Sequence, residues 1–182
     1  MRLTAAPPPE QRRLALRDAL EAIVPGWRPL ARNLLGADAR IDWVGRDGEG
    51  RCVIVLVAEA GDDPGLVAQG LAQREWVAAR LADWAQLAPD SGLRPGAGVQ
   101  VVLLAPRFAS ATRVAVRALS DPGLRLALLR FVHNGAGVSP LLEPLEDGDG
   151  APAGREATGF RSGLSAADLD LTPDERADLE RG

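Results

Sequence analysis

The sequence predicts an α/β fold in which helices flank a central mixed β-sheet of about four to five strands. Three apolar runs, at residues 52–58, 99–105 and 124–132, are rich in Val, Leu and Ile and match buried strands. Helical patterns separate these runs, and that alternation is typical of the α/β class. The chain has 182 residues and is 46% hydrophobic, so it can bury a core of this kind.

A helix is predicted near the N-terminus, over residues 10–24. Leu16, Leu20 and Ile23 fall at i, i+4 and i+7 and form one apolar stripe. Pro25-Gly26 then ends the helix, because neither residue continues a helix well.

A short helical turn and two strands are predicted next. The turn covers residues 28–35 and ends at Gly36. The strands, at 40–44 and 51–59, are joined by a turn at 46–50 whose glycines suit positive φ angles.

A long helix is predicted from Asp62 to Ala88. Asp63 suits its N-cap and Pro64 suits its first helical position. The elements predicted after it are a strand at 99–105, a helix at 110–119, a strand at 124–132 and, beyond an Asn134-Gly135 hairpin signal, a return strand at 138–142.

The charge is distributed unevenly along the chain. Residues 1–142 carry 17 arginines against 14 acidic residues, and residues 143–182 carry 4 arginines against 11. We therefore predict an α/β domain over residues 1–145 and, over 146–182, an acidic Gly/Pro-rich linker with a short helical tail. The tail would either regulate access of a partner to the more basic domain or only keep the protein soluble.

The composition excludes several kinds of chemistry. The chain has one cysteine, Cys52, and one histidine, His133, so it can form neither an internal disulfide nor a Cys/His zinc site. It has no lysine, which excludes Schiff-base catalysis by its own residues. No apolar run is long enough for a membrane helix and no signal peptide is recognisable, so we expect a cytoplasmic protein without membrane contact.

Short sequence motifs within residues 40–132 resemble those of the PD-(D/E)XK nuclease superfamily, which has the restriction-endonuclease-like fold. The stretch RIDWVGRD at 40–47 resembles the strand that carries the family's metal-binding Asp, and GRCVIV at 50–55 resembles the start of its second catalytic strand. VAQGLAQ at 67–73 resembles a helix that often carries a glutamine facing the site, and VVLLAPRF at 101–108 resembles the following strand.

The resemblance implies a catalytic set that is incomplete in this chain. The family uses one Asp, and then Glu-x-Lys on the next strand, to hold Mg²⁺ and activate water. Asp42 matches the Asp, but Leu56 occupies the Glu position and Ala58 the Lys position. If the second strand is aligned in another register, Glu59 falls at the Glu position, and Gly61, two residues further on, falls at the Lys position.

Two functions from different classes follow from this incomplete set. The first is a catalytically inactive nuclease-like domain that acts, without a cofactor, as a binding or scaffold module for nucleic acid or a protein partner. Such a binding module could also form a homodimer. The alternative is a divergent Mg²⁺-dependent nuclease that uses Asp42 and Glu59, helped by Glu21.

Each candidate residue also has a structural interpretation. Asp42 would be either a remnant metal ligand or an acid paired with Arg40 or Arg51. Gln69, a remnant catalytic candidate, shares a predicted helical stripe with three further binding candidates, Gln73, Trp76 and Arg80. The glutamines would otherwise be solvated helix residues, and Trp76 would pack under the N-terminal helix or the tail.

Overall fold

A seven-stranded mixed sheet forms the centre of the described chain. The structure is a computed structural model, and it describes residues 2–4, 7–8, 15–58, 65–134 and 137–145. The strands are β1 (Arg2–Leu3), β2 (Arg28–Leu35), β3 (Arg40–Arg46), β4 (Cys52–Val57), β5 (Val99–Ala105), β6 (Leu124–Asn134) and β7 (Gly137–Pro144).

Helical segments connect and cover these strands. They are α1 (Leu66–Ala78), α2 (Leu81–Leu87) and α3 (Ser110–Leu119). Residues 15–19 are also helical and lead into a 3-10 turn at Leu20–Ala22. Further 3-10 turns lie at Pro89–Ser91 and Pro95–Ala97.

The strand order is β1-β6-β5-β4-β3-β2, and β7 also pairs with β6. The three strands β4, β5 and β6 are parallel, and the other pairings are antiparallel. Parallel neighbours require crossover connections, and α1 with α2 provides the first while α3 provides the second. These observations confirm the predicted α/β class with a mixed sheet flanked by helices.

The sheet is buried on both faces. Alternate residues of the central strands face α1, among them Ile54, Leu56, Val101 and Leu103. Their neighbours face the N-terminal helical segment, whose Leu16 and Leu20 pack against Val53, Val55, Val102 and Leu104. This arrangement explains why the runs at 52–58 and 99–105 are apolar at every position.

The prediction of a helical turn over residues 28–35 is wrong, because these residues form strand β2. β2 pairs with β3 along its length and lies at the edge of the sheet. Its register shifts between Pro29 and Ala31, and Asn33 has a φ of 55°. These irregularities, together with its exposure, remove the two-residue alternation that identifies a strand in a sequence. With β2 and β1 included, the sheet has seven strands rather than four to five.

The single helix predicted from Asp62 to Ala88 is also wrong over its described part. Residues 62–64, with the proposed N-cap Asp63, lie outside the described residues. The described part consists of two helices, since Arg80 adopts a φ of −114° and a ψ of −5° between α1 and α2. The predicted hairpin, by contrast, is confirmed: β6 and β7 pair up to Asn134 and Gly137.

Gly45 leaves room for the Trp27 ring against strand β3. A Cβ at Gly45 would overlap the Trp27 ring and the Arg28 carbonyl. Trp27 is buried and belongs to the core beside the N-terminal helical segment.

The chain divides at Asp149/Gly150, and all described residues belong to the first unit. The acidic tail predicted for residues 146–182 therefore lies outside the described residues. In the ranges that the structure does describe, no helix is both long and apolar enough to span a membrane.

An ion pair between Arg74 and Asp121 connects α1 to the loop before β6. The Arg74 guanidinium donates to Asp121 Oδ2, and the Gly123 N–H donates to Asp121 Oδ1 at 2.8 Å. These hydrogen bonds hold the pKa of Asp121 below its usual value. Because the folded-state pKa is lowered, the carboxylate stabilises the fold above the usual Asp pKa, and this contribution is lost as the pH falls through the folded-state value.

We therefore expect Asp121→Asn to reduce the pH dependence of the free energy of unfolding on the acid side. Urea denaturation at a series of pH values below neutrality measures this slope. The matched control is Asp83→Asn, an exposed carboxylate on α2, which should keep the wild-type slope. An unchanged slope in Asp121→Asn would contradict a native-state hydrogen bond at Asp121.

Candidate functional site

Asp42 lies at the edge of the sheet where β4 and β5 end. Strand β3 begins at Arg40, and it runs antiparallel to β4, so its first residues meet the carboxyl end of β4. The parallel strand β5 ends at the same edge, where Arg107 follows it. In α/β sheets this edge is where ligand sites are usually found. The resemblance to nucleases also directs attention to Asp42.

The Asp42 carboxylate replaces a missing strand–strand hydrogen bond. β3 and β4 pair as far as Trp43 and Val55. The Ala58 N–H donates to Leu104 O on β5 at 2.8 Å, and successive N–H groups of a strand point to opposite sides. The Val57 N–H therefore points towards β3, where Asp42 Oδ2 accepts it at 2.8 Å. Asp42 is only 8% exposed, so this contact satisfies a donor that would otherwise be costly to bury.

The strand positions facing Asp42 carry no metal-binding groups. Continuing the β3–β4 register by one residue places Leu56 opposite Asp42. Leu56 and Ala58 are both buried in the core that faces α1. Mg²⁺ requires several oxygen ligands, and neither of these two side chains has an oxygen atom.

A metal site at Asp42 would need ligands from elsewhere in the chain. Within the described ranges no group of three or more His, Cys, Asp or Glu residues is placed to hold a metal ion. Glu59 lies outside them. Glu21 is exposed, and its Oε1 accepts the Gly26 N–H at 3.0 Å. The described residues at Asp42 therefore do not fit a Mg²⁺ site.

The arginines considered as partners of Asp42 also make other contacts. Arg40 Nη1 donates to Asn33 Oδ1 at 2.8 Å, which links β3 to β2. In the β3–β4 turn, Arg51 Nη2 lies 3.3 Å from Glu49 Oε2, and Arg51 Nε lies 3.9 Å from Asp47 Oδ2. Arg40 is nevertheless exposed, as are Arg32 on β2 and Arg107. Of these, Arg40 and Arg107 lie at the strand ends near Asp42, in the part of the chain that the structure describes, together with the exposed carboxylate of Asp38.

Gln73 is not the solvated residue considered above, because its side chain is completely buried. Its Oε1 accepts the Ala37 N–H at 3.0 Å, and its Nε2 donates to Ala37 O at 2.6 Å and to Ala39 O at 3.2 Å. A Cβ at Gly36 would overlap Gln73 Oε1. Gln73 therefore attaches the β2–β3 turn to α1, and its amide is fully used within the chain.

The other members of the predicted stripe have different surroundings. Gln69 is half-buried on α1. Trp76 is also half-buried and packs against the core, edge-to-face with Trp84 at 6.0 Å between ring centroids. The Arg80 guanidinium lies 4.2 Å from the Trp76 ring centroid, a cation–π distance. The structure thus groups Trp76, Trp84 and Arg80 at the α1–α2 junction and separates them from buried Gln73.

The single cysteine and the single histidine of the chain lie in different surroundings. Cys52 is buried, and burial raises the pKa of its thiol to about 12, so the thiol stays protonated at neutral pH. His133 is exposed near the end of β6.

The sequence motifs did not single out two features of the described surface. One is the pair of exposed arginines Arg40 and Arg107, which only the strand topology brings to one edge. The other is α3, whose Val114 and Leu119 face solvent while Val116 packs against the core. The 3.6-residue period of α3 was detectable in the sequence, but the side of the helix that faces the sheet was not.

No protein-family model and no curated protein sequence matches this chain. Among solved structures, it is similar to a repair endonuclease from Pyrococcus abyssi, at 18% identity and a TM-score of 0.45 over 68% of this chain and 47% of that chain. It is similar to EndoMS in a double-stranded DNA complex, at 19% identity and a TM-score of 0.42 over 71% and 47%. It is also similar to Pyrococcus furiosus SfsA, at 14% identity and a TM-score of 0.35 over 72% and 59%. The chain spans about half the length of the two endonuclease chains.

Proposed function

We propose that the chain is a nuclease-like module that binds nucleic acid without metal-dependent hydrolysis. The observation that carries this proposal is the surroundings of Asp42. Its carboxylate accepts the Val57 N–H, and apolar Leu56 and Ala58 occupy the positions where the resembling superfamily has its Glu and Lys. A phosphodiester could approach such a site, but the described side chains would not assemble Mg²⁺ around it.

The exposed arginines at the same strand edge support nucleic acid as the ligand. Arg40 and Arg107 are exposed there, and arginine is well suited to phosphate because its planar guanidinium forms paired hydrogen bonds. The net charge of residues 1–142 is only +3. We therefore expect modest affinity with a small number of phosphate contacts.

Salt dependence of binding tests the role of these arginines. We expect the affinity of the full chain for labelled single- or double-stranded DNA or RNA to fall as salt rises. Each of the variants Arg40→Gln and Arg107→Gln should reduce the slope of log K against log salt by about 1, because one phosphate contact is lost. Fluorescence anisotropy across a salt series, with EDTA present, measures both quantities.

Arg17→Gln is the matched control for this experiment. Arg17 is exposed on the N-terminal helical segment and lies 3.8 Å from Asp18. It should bind nucleic acid like the wild type. If the two edge variants behave like Arg17→Gln, the nucleic-acid surface is elsewhere. If the wild type binds none of the four nucleic acids even at low salt, the proposal is wrong.

A further inference from the structure

Helix α3 exposes an apolar stripe to solvent. Val114 is 60% exposed and Leu119 is 48% exposed, and Ala111, Ala115 and Ala118 are exposed as well. At 100° per residue these five positions cover one continuous side of the helix. Of the described α3 residues only Thr112 is fully buried. Exposed apolar surface of this kind, bordered by polar residues, typically marks an interaction site.

An arginine row borders this stripe on one side. Arg113 and Arg117 are spaced i, i+4, so they lie above one another along the helix. α3 contains no acidic residue that could neutralise them. Arg113 Nη2 makes a long contact of 3.4 Å with Ser110 Oγ, and the Arg117 side chain is exposed. The arginine row therefore retains capacity for carboxylate acceptors.

We propose that α3 is the docking site for an acidic amphipathic helix of a partner protein. The apolar side of that helix would cover Val114 and Leu119, and carboxylates spaced i, i+4 would pair with Arg113 and Arg117. The apolar stripe requires an apolar face on the partner, and the adjoining row of positive charge requires negative charge beside that face. This site is independent of the nucleic-acid edge at Asp42.

The same features make other occupants less suitable. A phosphate backbone would pair with the arginines but would leave Val114 and Leu119 uncovered. A second copy of α3 would bring arginines together without acidic partners, and like charges across an interface are unfavourable. A membrane would require more apolar surface than two large side chains and three alanines provide.

A designed pair of peptides tests the proposal on the full chain. The acidic probe is a labelled helical peptide with Leu at i, i+3, i+4 and i+7 and with Glu along one border of the Leu stripe. The basic probe is identical except that Lys replaces each Glu. We expect the acidic peptide to bind. Val114→Gln should weaken its binding about tenfold, because the complex then no longer buries the valine side chain.

Charge reversal separates a docking role from a structural one. We expect Arg113→Glu with Arg117→Glu to lose the acidic peptide and to gain the basic peptide. Val138→Gln, an exposed valine on β7, is the matched control and should bind like the wild type. Equal binding of both peptides by the wild type, or no binding of either, would overturn the proposal. The proposal would also be overturned if the wild type bound neither peptide but formed a dimer, or bound phosphatidylserine vesicles, and Val114→Gln abolished that association.

Discussion

Replacing Gln73 with methionine is expected to lower the free energy of unfolding by about 2–3 kcal/mol, because backbone groups of the β2–β3 turn lose their partners. The Gln73 amide accepts from Ala37 N–H and donates to two carbonyls, and it is completely buried. Methionine has nearly the same shape but can neither donate nor accept in this way. Urea denaturation followed by tryptophan fluorescence measures the change.

The matched control is Gln69→Met, one turn earlier on α1, where the side chain is half-buried. That variant should unfold within about 0.5 kcal/mol of the wild type. Hydrogen exchange at the Ala37 amide gives a local readout, and we expect its protection to be lost only in Gln73→Met. Wild-type stability in Gln73→Met with Ala37 still protected would contradict the proposed role of the amide.

A second route to the same contact uses Gly36. A Cβ at this position would overlap Gln73 Oε1, so Gly36→Ala should be destabilising in the wild type. It should be less destabilising when combined with Gln73→Ala, because the overlapping amide is then absent. A double-mutant cycle measures this coupling directly.

Substitution of Asp42 is expected to affect folding rather than metal binding. Asp42→Ala should lower the free energy of unfolding by about 1–3 kcal/mol, because the Val57 N–H would be left unpaired at a partly buried position. Asp42→Asn retains an amide oxygen that can accept the same N–H, so it should stay closer to the wild type. Chemical denaturation of the three proteins measures the series.

Mg²⁺ and Mn²⁺ distinguish this structural role from a metal site. An ion that binds only the folded state raises its stability in proportion to ln(1 + [ion]/Kd). The control is Asp38→Asn, which removes an exposed carboxylate. We expect each ion to shift the unfolding midpoint of the wild type no more than it shifts the midpoint of this control. Stabilisation of the wild type that disappears in Asp42→Asn would contradict the account.

The sequence was most informative where burial fixes the residue types. The runs at 52–58 and 99–105 pack on both faces, so nearly every position is apolar and the strands are recognisable. Strand β2 lies at an edge with a shifted register, and its pattern is no longer that of a strand. A local hydrophobic pattern reflects which side chains are buried, and the side chains of β2 are little buried.

The candidate site was predictable in part. The position of Asp42 beside Leu56 follows from the β3–β4 register, and the sequence resemblance had aligned the same residues. The burial of Gln73 could not be predicted from a helical wheel, which assigns polar residues to the solvent side. Its partners are backbone groups of a turn 34–36 residues away in the chain, and backbone groups leave no signature in a sequence pattern.

The most direct test of the central claim measures binding and cleavage in the same samples. The full chain is incubated with end-labelled single- and double-stranded DNA and RNA in the presence of Mg²⁺ or Mn²⁺. Bound fraction is read by anisotropy and strand integrity by denaturing gel. We predict salt-sensitive binding with the strands left intact, in the wild type and in Asp42→Asn alike. Strand cleavage by the wild type that is lost in both Asp42→Ala and Glu59→Ala would contradict the account and establish a metal-dependent nuclease.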